Sequence, residues 1–365
     1  MSEIPLHRGG GWLGIRIALL SLVACSAPGP ARPPATVGGA PATQQPPATA
    51  VAAPTGPAAQ PLKPLIYGSV TGTANYWPIF VAEARGYFTE QGIEVDASIT
   101  GSAASAALAL VSGSIEMTAS NPDPLVRSIA SGADLVMLGA TVDPTIYGLF
   151  GNKNVTSVAA LRGQTLSVGG PKDVTAYLLT RMLEPNGLHG SDYDLIYAGA
   201  TPDRYQQLQT NAVAATLLTQ PYDVVARQDG FPLLLYSNQY VTVLPTTTIA
   251  VTRAWLGDEQ NRTRIVRWLA AVYQASQALC DPSQKDAMVR ILADTAHLSD
   301  EVAQQTYAFL VEETRSVKCD LRLRPDELQA IVDYIVALGD LTPPLPDPSR
   351  IVDSSYLDQA SARVR

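Results

Sequence analysis

The sequence predicts an α/β fold in two lobes, each a sheet flanked by helices. Three observations carry this. Strand, polar loop and helix follow one another three times within residues 65–123. The same order restarts at Val158 and runs to Tyr236. A strand over 247–251 then returns, followed by a nearly all-helical stretch and a Pro-rich end. Alternating strands and helices imply sheets with helical cover, and open α/β sheets bind ligands at the C-terminal ends of their strands.

In chain order, the first lobe opens with a strand at 65–68 and a loop, Thr71 to Trp77. Pro78 sits where proline suits a helix start, and that helix runs to about 88 with Ile79, Phe80, Ala84 and Phe88 facing inward. A strand at 93–97 leads to Thr100-Gly101-Ser102. The next helix, 103–112, carries a small-residue stripe of Ala103, Ala106, Ala107, Leu110 and Val111 and stops at Gly113. A strand at 115–119 leads to Ser120-Asn121-Pro122-Asp123, which opens a helix ending near Gly132. Apolar runs at 135–140 and 147–150 read as strands.

The second unit has a short helix at 158–161 and a strand at 165–168. The turn Gly169-Gly170-Pro171-Lys172-Asp173 opens a helix ending at Asn186-Gly187. A strand at 195–197, a helix from Asp203, a strand at 212–218, a helix opened by Thr219-Gln220-Pro221 and a strand at 233–236 complete it. Helices are expected at 259–279, 283–293, 299–316 and 325–338. The domain plan is therefore lobe one at 62–148, lobe two at 149–246, lobe one again at 247–340, and a tail at 341–365 packing on lobe one, with two crossings forming a hinge.

The chain has 365 residues, 46% hydrophobic and 16% charged, with net charge -8. That length supports a large core and two domains. The absence of a basic surplus argues against a nucleic-acid partner. Residues 1–24 read as a signal peptide: His7, Arg8 and Arg16 precede an apolar run at 17–24 that is too short to span a bilayer. The run ends Leu22-Val23-Ala24-Cys25, which resembles a bacterial lipoprotein box and implies lipidation of Cys25. An ordinary signal peptide with an incidental cysteine is the alternative. Residues 25–61, rich in Pro, Ala and Thr, then form a disordered tether. Cys280 and Cys319 are either bridged, which export permits, or separate thiols. With only three histidines and no ligand-like cysteine spacing, no metal or cofactor is expected.

Several segments carry a family resemblance. They are Trp77-Pro78-Ile79-Phe80-Val81-Ala82, Gly86-Tyr87-Phe88, Gly92-Ile93-Glu94-Val95, the run from Ala107 to Glu116, the run from Val158 to Val168, Met182 to Leu188, Asp203 to Leu208, and Ile351 to Leu357. In this order and spacing the chain, over roughly 64–360, resembles the NMT1/THI5-like substrate-binding proteins of ABC importers. These include sulfonate, taurine, nitrate and thiamine-precursor receptors. The resemblance implies a type II periplasmic-binding-protein fold with two crossing strands as hinge. It also implies a monomer held outside the membrane that captures a small solute between the lobes and delivers it to a permease. A ligand-sensing lipoprotein would use the same cleft. The thiamine-pyrimidine synthase of the same group is an enzyme, but its cysteine-rich stretch has no counterpart here.

The resemblance assigns the first binding loop to Gly72, Asn75, Tyr76 and Trp77. Trp77 either stacks on a ligand or anchors the first helix in the core. Thr100, Gly101, Ser102, Ser120 and Asn121 offer hydroxyls, an amide and backbone N–H groups, or serve as helix caps. From lobe two come Gly170, Lys172, Asp173, Val174 and Thr175 at a helix start, and Thr219 and Gln220 at a strand end. Lys172 either neutralises an anion or is solvated. The stretch 169–175 lacks the longer Gly/Ser/Thr run of the sulfonate receptors, which weighs against oxyanion specificity. Asp123 and Asp143, expected beside Tyr76, Trp77 and Tyr147, would suit an amine or nitrogen heterocycle.

Overall fold

The computed structural model describes residues 62–341 and 347–364. The signal peptide expected at 1–24 and the lipidated Cys25 and tether expected at 25–61 lie outside these residues. The first lobe carries β1 (Leu65–Ser69), α1 (Trp77–Ala84), α2 (Tyr87–Glu90), β2 (Val95–Ile99), α3 (Ala103–Ser112), β3 (Met117–Ser120), α4 (Pro122–Ala130) and β4 (Leu135–Ala140). The second carries β5 (Gly148–Gly151), β6 (Thr165–Val168), α5 (Val174–Leu183), β7 (Asp194–Tyr197), α6 (Thr201–Gln209), β8 (Ala215–Leu218), α7 (Tyr222–Gln228) and β9 (Leu233–Tyr236). The chain returns through β10 (Thr248–Thr252) into α8 (Glu259–Cys280), α9 (Lys285–Ala296), α10 (Asp300–Tyr307), α11 (Pro325–Ala337), α12 (Pro348–Ile351) and α13 (Ser355–Val364).

The two sheets share one plan. Their strand orders are β2-β1-β3-β10-β4 and β7-β6-β8-β5-β9. β1 pairs parallel with β2 and β3, and β6 parallel with β7 and β8. The inserted strand runs antiparallel in each: β10 between β3 and β4, and β5 between β8 and β9. The strands by which the chain enters one lobe and leaves the other are thus built into the sheets, so the crossings are anchored at both ends. This is the two-lobed α/β architecture expected from the alternation.

The edge strand β4 is nevertheless fully buried along its length. Its outer edge is covered rather than open: Ala140 N–H donates to Leu321 O at 2.8 Å, and Asp353 N–H to Met137 O at 2.9 Å. The close approach requires Gly139, since a Cβ there would lie 2.6 Å from Leu321 O.

One apolar core gathers on α8, where Trp268, Leu269, Val272 and Leu279 meet Trp77, Val81 and Ala82 of α1 and Leu357 and Ala360 of α13. A second runs from Leu125 and Leu135 of lobe one through Ile331 and Tyr334 of α11 to Leu166 and Leu179 of lobe two. Cys280 and Cys319 form a disulfide with a Cα–Cα separation of 5.9 Å.

Several expectations need correcting. The first helix breaks at Gly86 (φ +73°), which starts a separate turn, and Ala84 is exposed while Trp77 and Val81 face inward. β2 and β3 begin two residues later than expected, because pairing starts at Leu65 opposite Val95 and Tyr67 opposite Met117. The helix expected over 299–316 is α-helical only to Tyr307 and continues as a π-helical stretch, Ala308–Glu313. The tail holds a real helix, α13, whose apolar face docks on α8 despite the prolines before it. Val111 lies outside the buried stripe of α3, 48% exposed.

The crossings pair with each other. Thr141 N–H donates to Thr247 O at 3.0 Å and Thr145 N–H to Leu244 O at 3.1 Å, while Leu244 N–H donates to Asp143 Oδ1 at 2.8 Å. Ser237 N–H donates to Tyr147 O at 2.8 Å, and Tyr147 N–H to Ser237 Oγ at 2.9 Å.

Candidate functional site

A chamber of about 60 Å³ lies where the lobes meet. Its walls come from the loops at the C-terminal ends of the strands of both sheets, as the fold class requires. The N-cap residues of four helices line it: Ser102 of α3, Asn121 of α4, Asp173 of α5 and Ala200 of α6. Ser102 and Asp173 already cap α3 and α5, and Pro122, Pro124 and Pro202 remove donors from the first turns of α4 and α6, so what converges on this space is chiefly the positive ends of the helix dipoles.

Arg204, in α6, is the buried cation of this wall. Its Nε donates to Leu217 O at 3.0 Å and Nη2 to Thr201 Oγ1 at 3.0 Å, and Nη1 donates to Gly199 O. A guanidinium has five N–H donors, so two remain. Among the described residues no carboxylate pairs with it. Burial pushes its pKa down, a cost that the nearby Tyr147 and Asp173 only partly offset. Tyr147, on the crossing, lines the same chamber, and burial raises its phenol to about 12. From lobe one, Tyr76 Oη accepts from Val70 N–H at 3.1 Å and donates to Ala119 O at 3.2 Å. Asn75 is buried, and its Oδ1 accepts no hydrogen bond from any described residue.

Asp173 is held tightly. Its Oδ1 accepts from Thr175 N–H and Ala176 N–H, both at 3.0 Å, and from Thr175 Oγ1 at 2.7 Å. Thr175 Oγ1 in turn accepts from Gly169 N–H at 2.7 Å. Only glycine fits at 169: a Cβ would stand 2.1 Å from Asp173 Oδ2 and 3.0 Å from Gly199 O.

The chamber opens into a larger outer groove of about 580 Å³, with Ser102, Ala103, Gly169 and Asp173 lining both. The groove is walled by α3 on one side and by the 170–172 turn and Tyr197 on the other. Beside it, Asp340 joins the lobes. It accepts from Arg127 Nε of α4 at 2.8 Å and from Lys172 Nζ of lobe two. Despite burial, these two cations hold the Asp340 carboxyl below its usual range.

The structure brings Asn75, Tyr76, Ser102, Asn121, Asp173, Thr175 and Thr219 to the chamber, and Asp123, Gly170 and Lys172 to the groove. Asp123 is buried with Arg127 Nη1 at 3.0 Å. Burial first, then the charge of Asp173 across the cleft, raises its pKa to about 6. Other residues lie elsewhere. Trp77 is fully buried, edge-on to Tyr307 with centroids 5.8 Å apart, so it anchors the core and faces no ligand. Val174 is buried at the first position of α5, and Gly72 is exposed in its loop. Thr100 Oγ1 is tied to Ser69 O at 2.9 Å, Gly101 forms a turn at φ +76°, and Ser120 lies buried in the sheet. The Gln220 side chain turns to Asp223 at 3.1 Å, though its carbonyl accepts from Ala74 N–H across the cleft at 3.1 Å. Lys172 is engaged by Asp340 rather than free.

Asp143 is not among the residues lining the chamber or the groove. It binds Leu244 N–H in the hinge, near the buried Lys318–Glu327 pair, and burial together with Glu327 raises its pKa to about 7. Arg204 and Thr201 also line the chamber, and no sequence motif singles them out. The only signal was position, since the loop 199–202 opens a helix at a strand end.

The sequence model described as NMT1/THI5 like matches residues 73–285. No curated relative matches the chain. Among solved structures, the periplasmic nitrate-binding protein NrtA of Synechocystis PCC 6803 is similar at 15% identity and TM-score 0.69, covering 82% of this chain and 89% of its own. The alkanesulfonate-binding protein SsuA of Xanthomonas axonopodis pv. citri, bound to MOPS, has 18% identity and TM-score 0.62, covering 81% and 96%. The desulfurization enzyme DSZB has 15% identity and TM-score 0.61, covering 83% and 100%. The architecture is thus shared by solute-binding proteins and at least one enzyme.

Proposed function

The chain belongs to the NMT1/THI5-like family, and we propose that it is an extracytoplasmic receptor that captures a small organic solute between its lobes by an anionic group and delivers it to an ABC importer. The observation that carries this reading is Arg204. A buried cation with no carboxylate partner is costly unless something neutralises it. An anionic group in the chamber would take its two remaining donors and lie near the positive ends of the surrounding helix dipoles. That similar folds bind nitrate and an alkanesulfonate agrees with an anion. The cation comes from α6, which is why the missing polar run at 169–175 does not weigh against one.

A solute touching both lobes stabilises their contact, so binding favours closure by its differential affinity for the closed form. The crossings at 141–147 and 237–247 serve as hinge. The proposal includes a monomer on a lipid anchor at Cys25, with the tether at 25–61 giving the lobes reach to a permease.

The test is native mass spectrometry of the chain followed by a thermal-shift panel of nitrate, alkanesulfonates, aryl carboxylates and pyrimidines. An anion should stabilise the chain, and Arg204→Gln should abolish that response. Stabilisation by a neutral heterocycle alone, or an unchanged response in a folded Arg204→Gln, overturns the reading.

A further inference from the structure

The chamber holds an acid as well as a base. Asp173 Oδ1 is consumed by three donors of its own helix, whereas Oδ2 takes no hydrogen bond from any described residue. Oδ2 packs on Gly169, next to Gly199 O, and Gly199 O is the carbonyl that Arg204 Nη1 holds. Free donors of a guanidinium and a free carboxylate oxygen are therefore neighbours in one small space. A bare anion would satisfy the first and be repelled by the second. Asn75 of the opposite lobe lines the same chamber, and its buried Oδ1 is a second acceptor with no hydrogen-bond partner among the described residues.

The size and polarity of the cleft add a further constraint. A volume of about 60 Å³ holds only a few water-sized groups. The groove beyond is much larger and its lips are apolar. Leu108 is 70% and Val111 48% exposed on α3, and Tyr197 is 54% exposed on lobe two. The groove joins the chamber at Asp173, so a ligand headgroup seated there would send its remaining atoms between these lips.

Resting on the receptor reading above, we propose that the solute is a zwitterion of amino-acid type with an apolar side chain. Its acid group meets Arg204, its ammonium meets Asp173 Oδ2 and Asn75 Oδ1, and its side chain lies in the groove between α3 and Tyr197. The two charges of the ligand match the two fixed charges of the wall, and its apolar part covers the exposed side chains of both lobes.

Calorimetric titration of the chain with L-phenylalanine, L-leucine, 3-phenylpropionate, 2-phenylethylamine and glycine tests this. Phenylalanine or leucine should bind about tenfold or more tighter than phenylpropionate, phenylethylamine or glycine, since each of these lacks one of the three contacts. Asp173→Asn retains a good N-cap for α5 and should erase the preference for the amino acid over phenylpropionate. Tyr197→Ala should weaken phenylalanine yet leave that preference intact. Equal or tighter binding of phenylpropionate, or no binding by either amino acid, overturns the zwitterion. If phenylpropionate alone binds, and does so through Arg204, the anion receptor stands without this refinement. If Arg204→Gln changes nothing, both fail.

Discussion

Lys318→Met should be among the most damaging substitutions in the molecule. The Lys318 and Glu327 side chains are 3% and 2% exposed, and Nζ donates to Glu327 Oε1 at 2.5 Å. Glu327 also accepts from Arg324 N–H at 2.7 Å, capping α11. Asp143 of the hinge lies against the same carboxylate. Removing the ammonium leaves Glu327 buried beside another acid, with the half-exposed Arg324 as its remaining cation. Breaking a buried pair from one side costs about 3–5 kcal/mol, a large part of a typical total of about 5–15 kcal/mol. A melting temperature lower by roughly 6–10 °C is expected, read by differential scanning calorimetry. Lys318→Met with Glu327→Leu should recover more than half of the loss, because no charge is then stranded in the pair. A single variant within about 1 kcal/mol of wild type, or a double variant no better than the single, would refute this account of the hinge cluster.

Asp340→Asn removes the carboxylate that joins Arg127 to Lys172, and should loosen the lobes. The cost is about 1–2 kcal/mol, limited because the Lys172 side chain is 61% exposed. Small-angle scattering should show a larger radius of gyration, which 0.5 M salt partly reproduces in wild type; identical curves would discount the contact. Asp223, buried with Gln220 and Arg227, has its pKa raised by burial to about 6. A raised carboxyl stabilises the fold most below its unfolded pKa, and that contribution is lost as pH rises toward 6. Wild type should therefore lose up to about 3 kcal/mol relative to Asp223→Asn between pH 4 and 7, measured by urea titration. A constant difference across that range would contradict the assignment.

The architecture was legible because its signals are local. Apolar runs such as 135–140 bounded by glycine and polar loops mark strands, and Ser102 and Gly113 bracket α3 by ordinary capping chemistry. Loops at strand ends therefore pointed to the cleft, and Asn75, Tyr76, Ser102, Asp173 and Thr175 do line it. What stayed hidden depends on long-range packing. Trp77 could face a ligand or the core, and only the position of Tyr307, far along the chain, decides for the core. Arg204 resembles any surface arginine until the carbonyls of Leu217 and Gly199 converge on it. Lys172 resembles a free cation until Asp340 arrives from beyond α11. α13 is polar enough to pass for a tail, and it becomes a helix by burying Leu357 and Ala360 on α8.

The most direct test of the binding account is calorimetric titration of wild type and Arg204→Gln with the tightest-binding member of the sulfonate, carboxylate and amino-acid panel. Two charge-assisted hydrogen bonds made inside a buried chamber predict a loss of about 100-fold in affinity, with the variant still folded by circular dichroism. Affinities within about threefold of each other would contradict the claim that this guanidinium receives the solute.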